Sequence, residues 1–250
     1  MNLKREHNIG RISKMKEIKE FANIHKGEDI YIICSGKSLD YISEDFFENK
    51  IMLGINQAYK KLNCHYYVRK EAALLEEIFL KDYEKIKDSY FFVSRHDGGF
   101  AAGVRTDKNL NIVKNNLSQH KNILVYETNQ NISRSRINPD LVQLTGDFFL
   151  ATDSTITTGI NIAAFMGAKN IILCGHDCVS INGEPNFSGY HSDESYKIKH
   201  AQGKHQYSRW LSGLERQTRE MKHILKNKYD INLLSINPFV SMKMGGNNLS

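Results

Sequence analysis

Short runs of apolar residues, each bounded by polar or glycine residues, recur along the chain. The first clear run covers 30–34 and contains three isoleucines and a tyrosine. Runs of this length that are rich in β-branched and aromatic side chains are typical of strands buried on both faces, as in parallel sheets. The same pattern predicts further strands over 51–55, 64–68, 90–93, 123–126, 171–175 and 231–234.

Segments with helical character lie between these runs, and several of them space their apolar residues three or four positions apart. They predict helices over 12–22, 39–47, 71–86, 108–117, 160–166 and 207–228. Because strands and helices alternate, we expect an α/β fold with a doubly wound, mostly parallel, Rossmann-like sheet. The predicted organisation is an N-terminal helical extension over 1–26, one nucleotide-binding domain over 27–240 and a loose tail over 241–250.

The composition is that of a globular protein able to form a core. Of the 250 residues, 40% are hydrophobic and 25% are charged. No apolar run approaches the ~20 residues that span a bilayer, and residues 1–9 lack the apolar core of a signal peptide. We therefore expect a cytoplasmic protein whose four cysteines are reduced thiols in or beside strands.

The formal net charge of +6 bears on the kind of partner. Most lysines and arginines alternate with acidic residues, as over 81–87, which is typical of a solvated helix face. No RNA- or DNA-binding module is recognisable, so nucleic acid is not expected as a partner. The excess of positive charge suits an anionic substrate, or contact with a negatively charged membrane surface.

The turn after the first strand is the first candidate for phosphate binding. It consists of Ser35, Gly36, Lys37 and Ser38. Gly36 allows backbone amides to approach an anion, and Ser38 can cap the following helix, whose first turn directs its positive end toward a ligand. The spacing matches neither the Walker loop nor G-x-G-x-x-G, and a turn that only joins a strand to a helix has the same composition.

Polar residues also follow two other predicted strands. Asn56 ends the strand over 51–55, and a hydroxyl-rich segment containing Thr157, Thr158 and Gly159 opens the helix over 160–166 as a second candidate anion site. Asp177, after the strand over 171–175, suits a role as acceptor for a sugar hydroxyl or as a Mg²⁺ ligand. Since carboxyl ends of parallel strands meet at one edge, these residues are predicted to line one crevice.

Zinc is suggested by the alternation of Cys174, His176 and Cys178. The spacing is not C-x-x-C and no second cysteine pair exists, so no metal site is predicted. Long segments over 95–103 and 129–146 are predicted as loops, and 177–206 as a lid that supplies a general base. Histidine suits that role, since its pKa of ~6.5 lies near operating pH.

Several short motifs together resemble a known family. They are Ser35-Gly36-Lys37-Ser38-Leu39, Gly54-Ile55-Asn56, Thr157-Thr158-Gly159, Met166-Gly167-Ala168 and Leu173-Cys174-Gly175-His176-Asp177. This order resembles MptE-like proteins, which include hydroxymethylpterin diphosphokinases and proteins of bacterial surface-glycan clusters. The skeleton is also similar to that of bacterial lipo-oligosaccharide sialyltransferases, which use a CMP-activated sugar. The resemblance spans roughly 18–240 and adds Gly175 and His176 to the expected nucleotide-binding residues.

The chain departs from that pattern at several positions. The proline usual in the first turn is replaced by Lys37, and Arg69-Lys70-Glu71 stands where many MptE-like proteins have an aspartate, which leaves a metal role there unsupported. Val179 stands where the sialyltransferases have a tyrosine, so a tyrosine contact to phosphate must come from Tyr190 or Tyr196.

The catalytic histidine that the sialyltransferase resemblance implies falls near Gly213, where this chain has none. We therefore expect the base within the lid, at His205 in preference to His191, with Asp177 as the third catalytic candidate. The favoured hypothesis is a glycosyltransferase that takes a sugar from a nucleotide donor, CMP-linked by resemblance, and delivers it to a glycan in surface-glycan synthesis.

Two other functions remain open. One is an MptE-like diphosphokinase, in which the same crevice holds ATP and Mg²⁺ and a pyrophosphoryl group moves to a pterin-type alcohol. The other is a protein that binds nucleotide without catalysis. No cofactor is predicted for the transferase, Mg²⁺ is required only by the diphosphokinase, and the sequence predicts no oligomeric state.

Overall fold

A sheet of parallel strands forms the centre of the protein. The computed structural model describes residues 17–70, 78, 82–95, 122–130, 136–152, 154–190 and 204–237. The eight strands are β1 (Asp29–Ile33), β2 (Ile51–Ile55), β3 (Tyr66–Arg69), β4 (Tyr90–Ser94), β5 (Ile123–Gln130), β6 (Phe148–Ala151), β7 (Asn170–Cys174) and β8 (Asn232–Ile236). Their order is β6-β5-β4-β3-β2-β1-β7-β8, and every neighbouring pair is parallel. The predicted doubly wound α/β fold is confirmed.

The direction of winding changes once, between β1 and β7. From β1 to β6 the chain adds each strand on the same side, and β7 then returns to pair with the free side of β1. Ile33 of β1 is level with Cys174 of β7. Ligands of doubly wound sheets bind outside the carboxyl ends of the strands at this kind of switch point.

Two α-helices cover one face of the sheet. They are α1 (Thr155–Phe165) and α2 (Lys204–Tyr229). All residues of α1 are buried, and Gly159 lies close enough to β2 and β3 that an added Cβ would stand 2.6 Å from Cδ1 of Ile55 and 3.5 Å from Val68. Met221 and Leu225 of α2 join the same core. Of the two hydrophobic cores in the described chain, the one on this face is therefore the larger.

Short 3-10 helices and a loop cover the opposite face. The helices run over Lys37–Tyr41, Glu44–Phe47 and Ala58–Lys60. Because side chains alternate along a strand, Ile32 points to the α-helical face and Ile33 to this one. Phe187 and Tyr190 pack into this second core, so the segment after β7 is built into the fold.

Several predicted elements differ from those observed. The described part of the helix predicted over 12–22 is a 3-10 turn (Ile18–Phe21), and the helix predicted over 39–47 is two 3-10 turns. Strand β6 was not predicted, because its four residues lie between a polar segment and a hydroxyl-rich one. The elements predicted over 108–117 and 241–250, all but the first residue of 95–103 and most of 71–86 lie outside the described residues.

The lid predicted over 177–206 is only partly described. Residues 191–203 lie outside the described part, and α2 already begins at Lys204. His205 therefore belongs to a helix and not to the loop in which the prediction placed it. The fold does not confirm a lid.

Two global features concern the membrane and the thiols. No helix in the described ranges is long and apolar enough to cross a membrane.

Cys34, Cys64 and Cys174 are buried, Cys178 is half-buried, and all four are free thiols, as predicted. Burial raises the pKa of the Cys34 thiol well above its ordinary value, so this cysteine is protonated at neutral pH.

Asn161 provides a test of how α1 is fixed on the edge of the sheet. Its Oδ1 accepts the N–H of Leu150 at 2.8 Å, and its Nδ2 donates to the carbonyl of Gln143 at 2.9 Å. Asn161→Leu leaves both backbone groups without a hydrogen-bond partner, at ~1–3 kcal/mol each, so we expect the free energy of unfolding to fall by about 2–6 kcal/mol in urea titration. Asn227 is exposed on α2, and Asn227→Leu should change it by less than ~0.5 kcal/mol. Equal effects of the two substitutions would contradict the assignment.

Candidate functional site

The turns that follow β1 and β7 are joined by hydrogen bonds at the switch point. The N–H groups of Cys34 and Gly36 donate to the carbonyls of Cys174 and Gly175 at 2.8 and 2.7 Å, so the pairing of the two strands continues past their ends. The turns therefore form one surface.

Asp177 forms the central contact of this surface. One carboxylate oxygen accepts the backbone N–H of Ser38 at 2.7 Å, and the other accepts the Ser38 hydroxyl. Nδ2 of Asn237, just after β8, lies 3.4 Å from the second oxygen. Asp177 is buried, and burial raises its pKa above the ordinary value although the two Ser38 bonds lower it. The carboxylate thus occupies the start of the 3-10 helix, where the Ser38 amide was expected to meet a phosphate.

Gly36 is required by this close approach. A Cβ at this position would lie 2.6 Å from Oδ2 of Asp177 and would also collide with the Gly175 carbonyl. Gly175 itself has a φ of +73°, which favours glycine. Both glycines therefore have a packing role that is independent of any ligand, and their predicted contact with nucleotide stays a prediction.

Residues 178–190, which we call the strap, lie on the turn after β1. The carbonyl of Ser35 accepts from the N–H of Phe187 at 3.0 Å and from Nδ2 of Asn186 at 3.2 Å. Lys37 holds the same segment through its Nζ, which is 2.5 Å from Glu184 and 3.2 Å from the hydroxyl of Ser188. The strap therefore covers the outer side of the Ser35–Ser38 turn.

Asp40 is a second anchor of the strap. It accepts from both the N–H and the hydroxyl of Ser188, at 2.9 and 2.8 Å, and lies 3.0 Å from Lys37 and 3.3 Å from Lys61. Burial alone would raise the pKa of Asp40, but the bonds from Ser188, Lys37 and Lys61 prevail and lower it to about 2. Asp40 is therefore ionised, and the anchor intact, at neutral pH.

His176 points into the helical face of the sheet. Its Nε2 lies 2.8 Å from Oγ1 of Thr218 on α2. The Thr218 hydroxyl also donates to the carbonyl of Leu214 at 2.9 Å. Burial lowers the pKa of His176 to about 4, so the ring is neutral at pH 7. Sγ of Cys178 lies 3.5 Å from the same nitrogen.

The hydroxyl groups at the start of α1 form their hydrogen bonds within the protein. The Thr157 hydroxyl lies 2.6 Å from Oγ1 of Thr152, and Thr158 donates to the carbonyl of Leu150 at 2.7 Å. Both threonines are buried in the first turn, which is capped by Ser154. Thr157, Thr158 and Gly159 thus position the helix, and their predicted contact with an anion is not needed to explain them.

Asn56 lies at the same edge of the sheet as Asp177. It follows β2, is half-buried and has a φ of +57°, and its N–H donates to Val68 at 3.2 Å. Since β2 and β7 flank β1, Asn56 and Asp177 stand on either side of the Ser35–Ser38 turn. That they face one ligand remains a prediction.

The remaining predicted residues have less structural support. Tyr190 packs edge-on against Phe187, with ring centroids 5.2 Å apart. His205 lies in the first turn of α2, with its side chain outside the described part, and His191 lies outside it entirely. Among the residues that are described, no group of three or more His, Cys, Asp or Glu is placed to hold a metal ion.

Sequence reasoning missed two buried cations at the end of β3. Arg69 and Lys70 are 0% and 2% exposed. Nη1 of Arg69 donates to the amide oxygen of Gln57 at 3.3 Å, and Nζ of Lys70 to the carbonyl of Thr152 at 2.6 Å. The sequence did contain a signal for them, since Arg69 and Lys70 directly follow an apolar run that the sheet must bury.

His176 makes a pH dependence testable. Its pKa is about 4 in the fold and ~6.5 in the unfolded chain, so its contribution to stability is present above pH 6.5 and is lost as pH falls toward 4. The loss amounts to about 3 kcal/mol. His176→Gln should flatten the free energy of unfolding between pH 6.5 and 4, measured by urea titration. His223→Gln, on the exposed side of α2, should leave the wild-type slope; a wild-type slope in His176→Gln would refute the assignment.

Two comparisons of the sequence with known proteins found no relative. The sequence matches no protein-family model, and no curated protein matches it. The resemblance to MptE-like proteins and sialyltransferases therefore rests on the short motifs quoted above, and the candidate site rests on the switch point with Ser38 and Asp177 at its centre.

Proposed function

We infer that the protein binds a nucleotide-activated sugar in the crevice between the β1 and β7 turns and transfers the sugar to a hydroxyl acceptor. The observation that carries this proposal is the single change of winding direction between β1 and β7. Polar side chains follow β1, β2 and β7 at this edge, and open parallel sheets bind ligands there. The acceptor class we expect is a glycan or a small alcohol.

The charge of the crevice supports an anionic ligand. Lys37 follows β1, and Arg69 and Lys70 stand at the end of β3, so three cations lie at the carboxyl edge of the sheet, on either side of β2. Positive charge in a site of low dielectric attracts phosphate and stabilises the negative charge that grows on a departing nucleotide. Lys37 is held by Glu184 and Asp40, so a phosphate at this turn must share or displace those carboxylates.

We propose roles for several residues of the chain in such a transfer. Asp177 fixes the Ser35–Ser38 turn through Ser38, and Asn56 stands beside it for a contact to nucleotide or sugar. The acceptor hydroxyl must lose its proton as the new bond forms, and we propose His205, at the start of α2, as the base, with His191 as the alternative. A positioned histidine contributes ~10²–10⁴-fold to such a step. His176 does not suit this role, because burial lowers its pKa to about 4 and its Nε2 is in hydrogen-bond contact with Thr218.

The diphosphokinase remains the second candidate. It would use the same crevice for ATP with Mg²⁺, and Asp177 is an oxygen ligand of the type that Mg²⁺ prefers. Arg69 and Lys70 favour the transferase, because cations at the end of β3 neutralise an anion directly where an acidic residue would recruit a metal. A protein that binds nucleotide without catalysis is the third outcome of the tests below.

Thermal shift with CMP, UDP, GDP and ATP, each with and without Mg²⁺, tests the proposal. A ligand at 100 times its Kd adds about 2.7 kcal/mol, which corresponds to a rise in Tm of about 5–10 °C for a chain of this size. We expect a pyrimidine nucleotide to stabilise the protein without Mg²⁺, and His205→Ala to lower kcat for sugar transfer while this shift is kept. Stabilisation by ATP only with Mg²⁺ would support the diphosphokinase, and no shift with any nucleotide would refute both enzymes.

Asn56 allows a matched test of the ligand edge. Asn56 and Asn49 flank β2 at its two ends, with φ of +57° and +58°, and glycine keeps that conformation while removing the side chain. Asn56→Gly should weaken binding of the stabilising nucleotide by about 3- to 10-fold through a lost hydrogen bond. Asn49→Gly, at the opposite edge of the sheet, should leave the Kd unchanged. Titration calorimetry with equal values for the two variants would show that Asn56 does not touch the ligand.

A further inference from the structure

Lys37 lies between two carboxylates at the switch point. Its Nζ is 2.5 Å from Oε2 of Glu184 and 3.0 Å from Oδ2 of Asp40. Lys61 lies 3.3 Å from the other oxygen of Asp40, so this group of four side chains contains two positive and two negative charges. The cation that was expected to bind a phosphate is therefore neutralised by the protein itself.

The two carboxylates are held with different strength. Asp40 is 15% exposed, pairs with both lysines and accepts two further hydrogen bonds from Ser188. Glu184 is 60% exposed, and the described chain gives its carboxylate one ion pair, with Lys37. An ion pair with an exposed partner is weak. Glu184 is therefore the carboxylate that an incoming anion can displace.

The backbone around Glu184 is built to present this side chain. Ile181 and Glu184 exchange both backbone hydrogen bonds at 3.0 Å, and Asn182 and Gly183 between them have φ of +53° and +81°. Two positive φ values at Asn-Gly are typical of the tight type I′ hairpin turn. Ile181 is 1% exposed, which fixes the turn on the protein. Because its carboxylate is exposed, Glu184 can leave Lys37 by rotation of its side chain without movement of the turn.

We propose that Glu184 is an internal competitor for the anion site at Lys37. It pairs with Lys37 in the ligand-free protein and turns into solvent when a phosphate group of the ligand binds. A group tethered beside its site acts at a high effective concentration, so only an anion that interacts with Lys37 more strongly than Glu184 does occupies the site. Asp177 cannot act in this way, because it is buried and bonded twice to Ser38. This inference rests on the proposed function in placing an anionic ligand at the Ser35–Ser38 turn.

Calorimetry of inorganic pyrophosphate with the full chain, without metal and at low ionic strength, tests the competition. Glu184→Gln keeps the shape of the side chain and removes its charge, so the Kd should fall about 2- to 5-fold. Glu184→Asp keeps the charge on a side chain one methylene shorter, which no longer reaches Lys37 from the same turn, and should bind nearly as tightly as Glu184→Gln. Lys37→Met should raise the Kd at least tenfold through loss of a charge-assisted bond.

Glu84→Gln is the matched control. Glu84 is also an exposed carboxylate paired with a lysine, at 2.6 Å from Lys87, but it precedes β4 and so lies at the opposite edge of the sheet. We expect its Kd for pyrophosphate to equal that of wild type. The internal competitor is overturned by an unchanged Kd in Glu184→Gln, by wild-type binding in Glu184→Asp or Lys37→Met, by equal tightening in Glu84→Gln, or by no binding of pyrophosphate to either wild type or Glu184→Gln.

Failure of this inference is distinguishable from failure of the proposed function. If a nucleotide stabilises wild type, and neither nucleotide nor pyrophosphate binds more tightly to Glu184→Gln, the internal competitor is wrong and nucleotide binding stands. If no nucleotide binds, but pyrophosphate requires Lys37 and binds more tightly to Glu184→Gln, the competitor stands and the nucleotide-sugar transferase is wrong.

Discussion

The two hydrogen bonds between Ser38 and Asp177 join parts of the chain that are 139 residues apart. They close the turn after β1 onto the turn after β7 and so fix the Ser35–Ser38 turn. Gly36 must lack a side chain because Asp177 lies against it, and the strap reaches the Ser35 carbonyl only because the turn is held in place. A buried carboxylate with two donors from one residue is thus the constraint around which the crevice is built.

Charge is distributed unevenly along this edge of the sheet. The acidic group lies at the switch point between β1 and β7, and the buried cations lie two strands away at β3. In surroundings of low dielectric such charges act strongly over short distances. Under the proposed function, the anionic part of a ligand would therefore be favoured near β3 and disfavoured beside Asp177.

The strands were readable from the sequence because a sheet covered on both faces needs uninterrupted apolar runs, as at 30–34 and 51–55. Strand β6 was not, because four residues at an edge give too short a run to stand out beside polar neighbours. The residues that end β1 and β7 were identified as candidates, but their mutual bond was not, since pairing across 139 residues leaves no local signal. Arg69 and Lys70 were read as a departure from a motif, because burial of a charge becomes visible only when the neighbouring elements are in place.

Lys37 couples the strap to whatever occupies the turn. Its ammonium is shared between Glu184 and Asp40, and the strap is held through the same groups. A phosphate that takes Lys37 weakens this hold, and by thermodynamic reciprocity a strap held more firmly weakens the phosphate to the same degree. If a phosphate binds at this turn, its occupancy would thereby be transmitted to the outer surface of the protein, where protease sensitivity of the segment after β7 would report it.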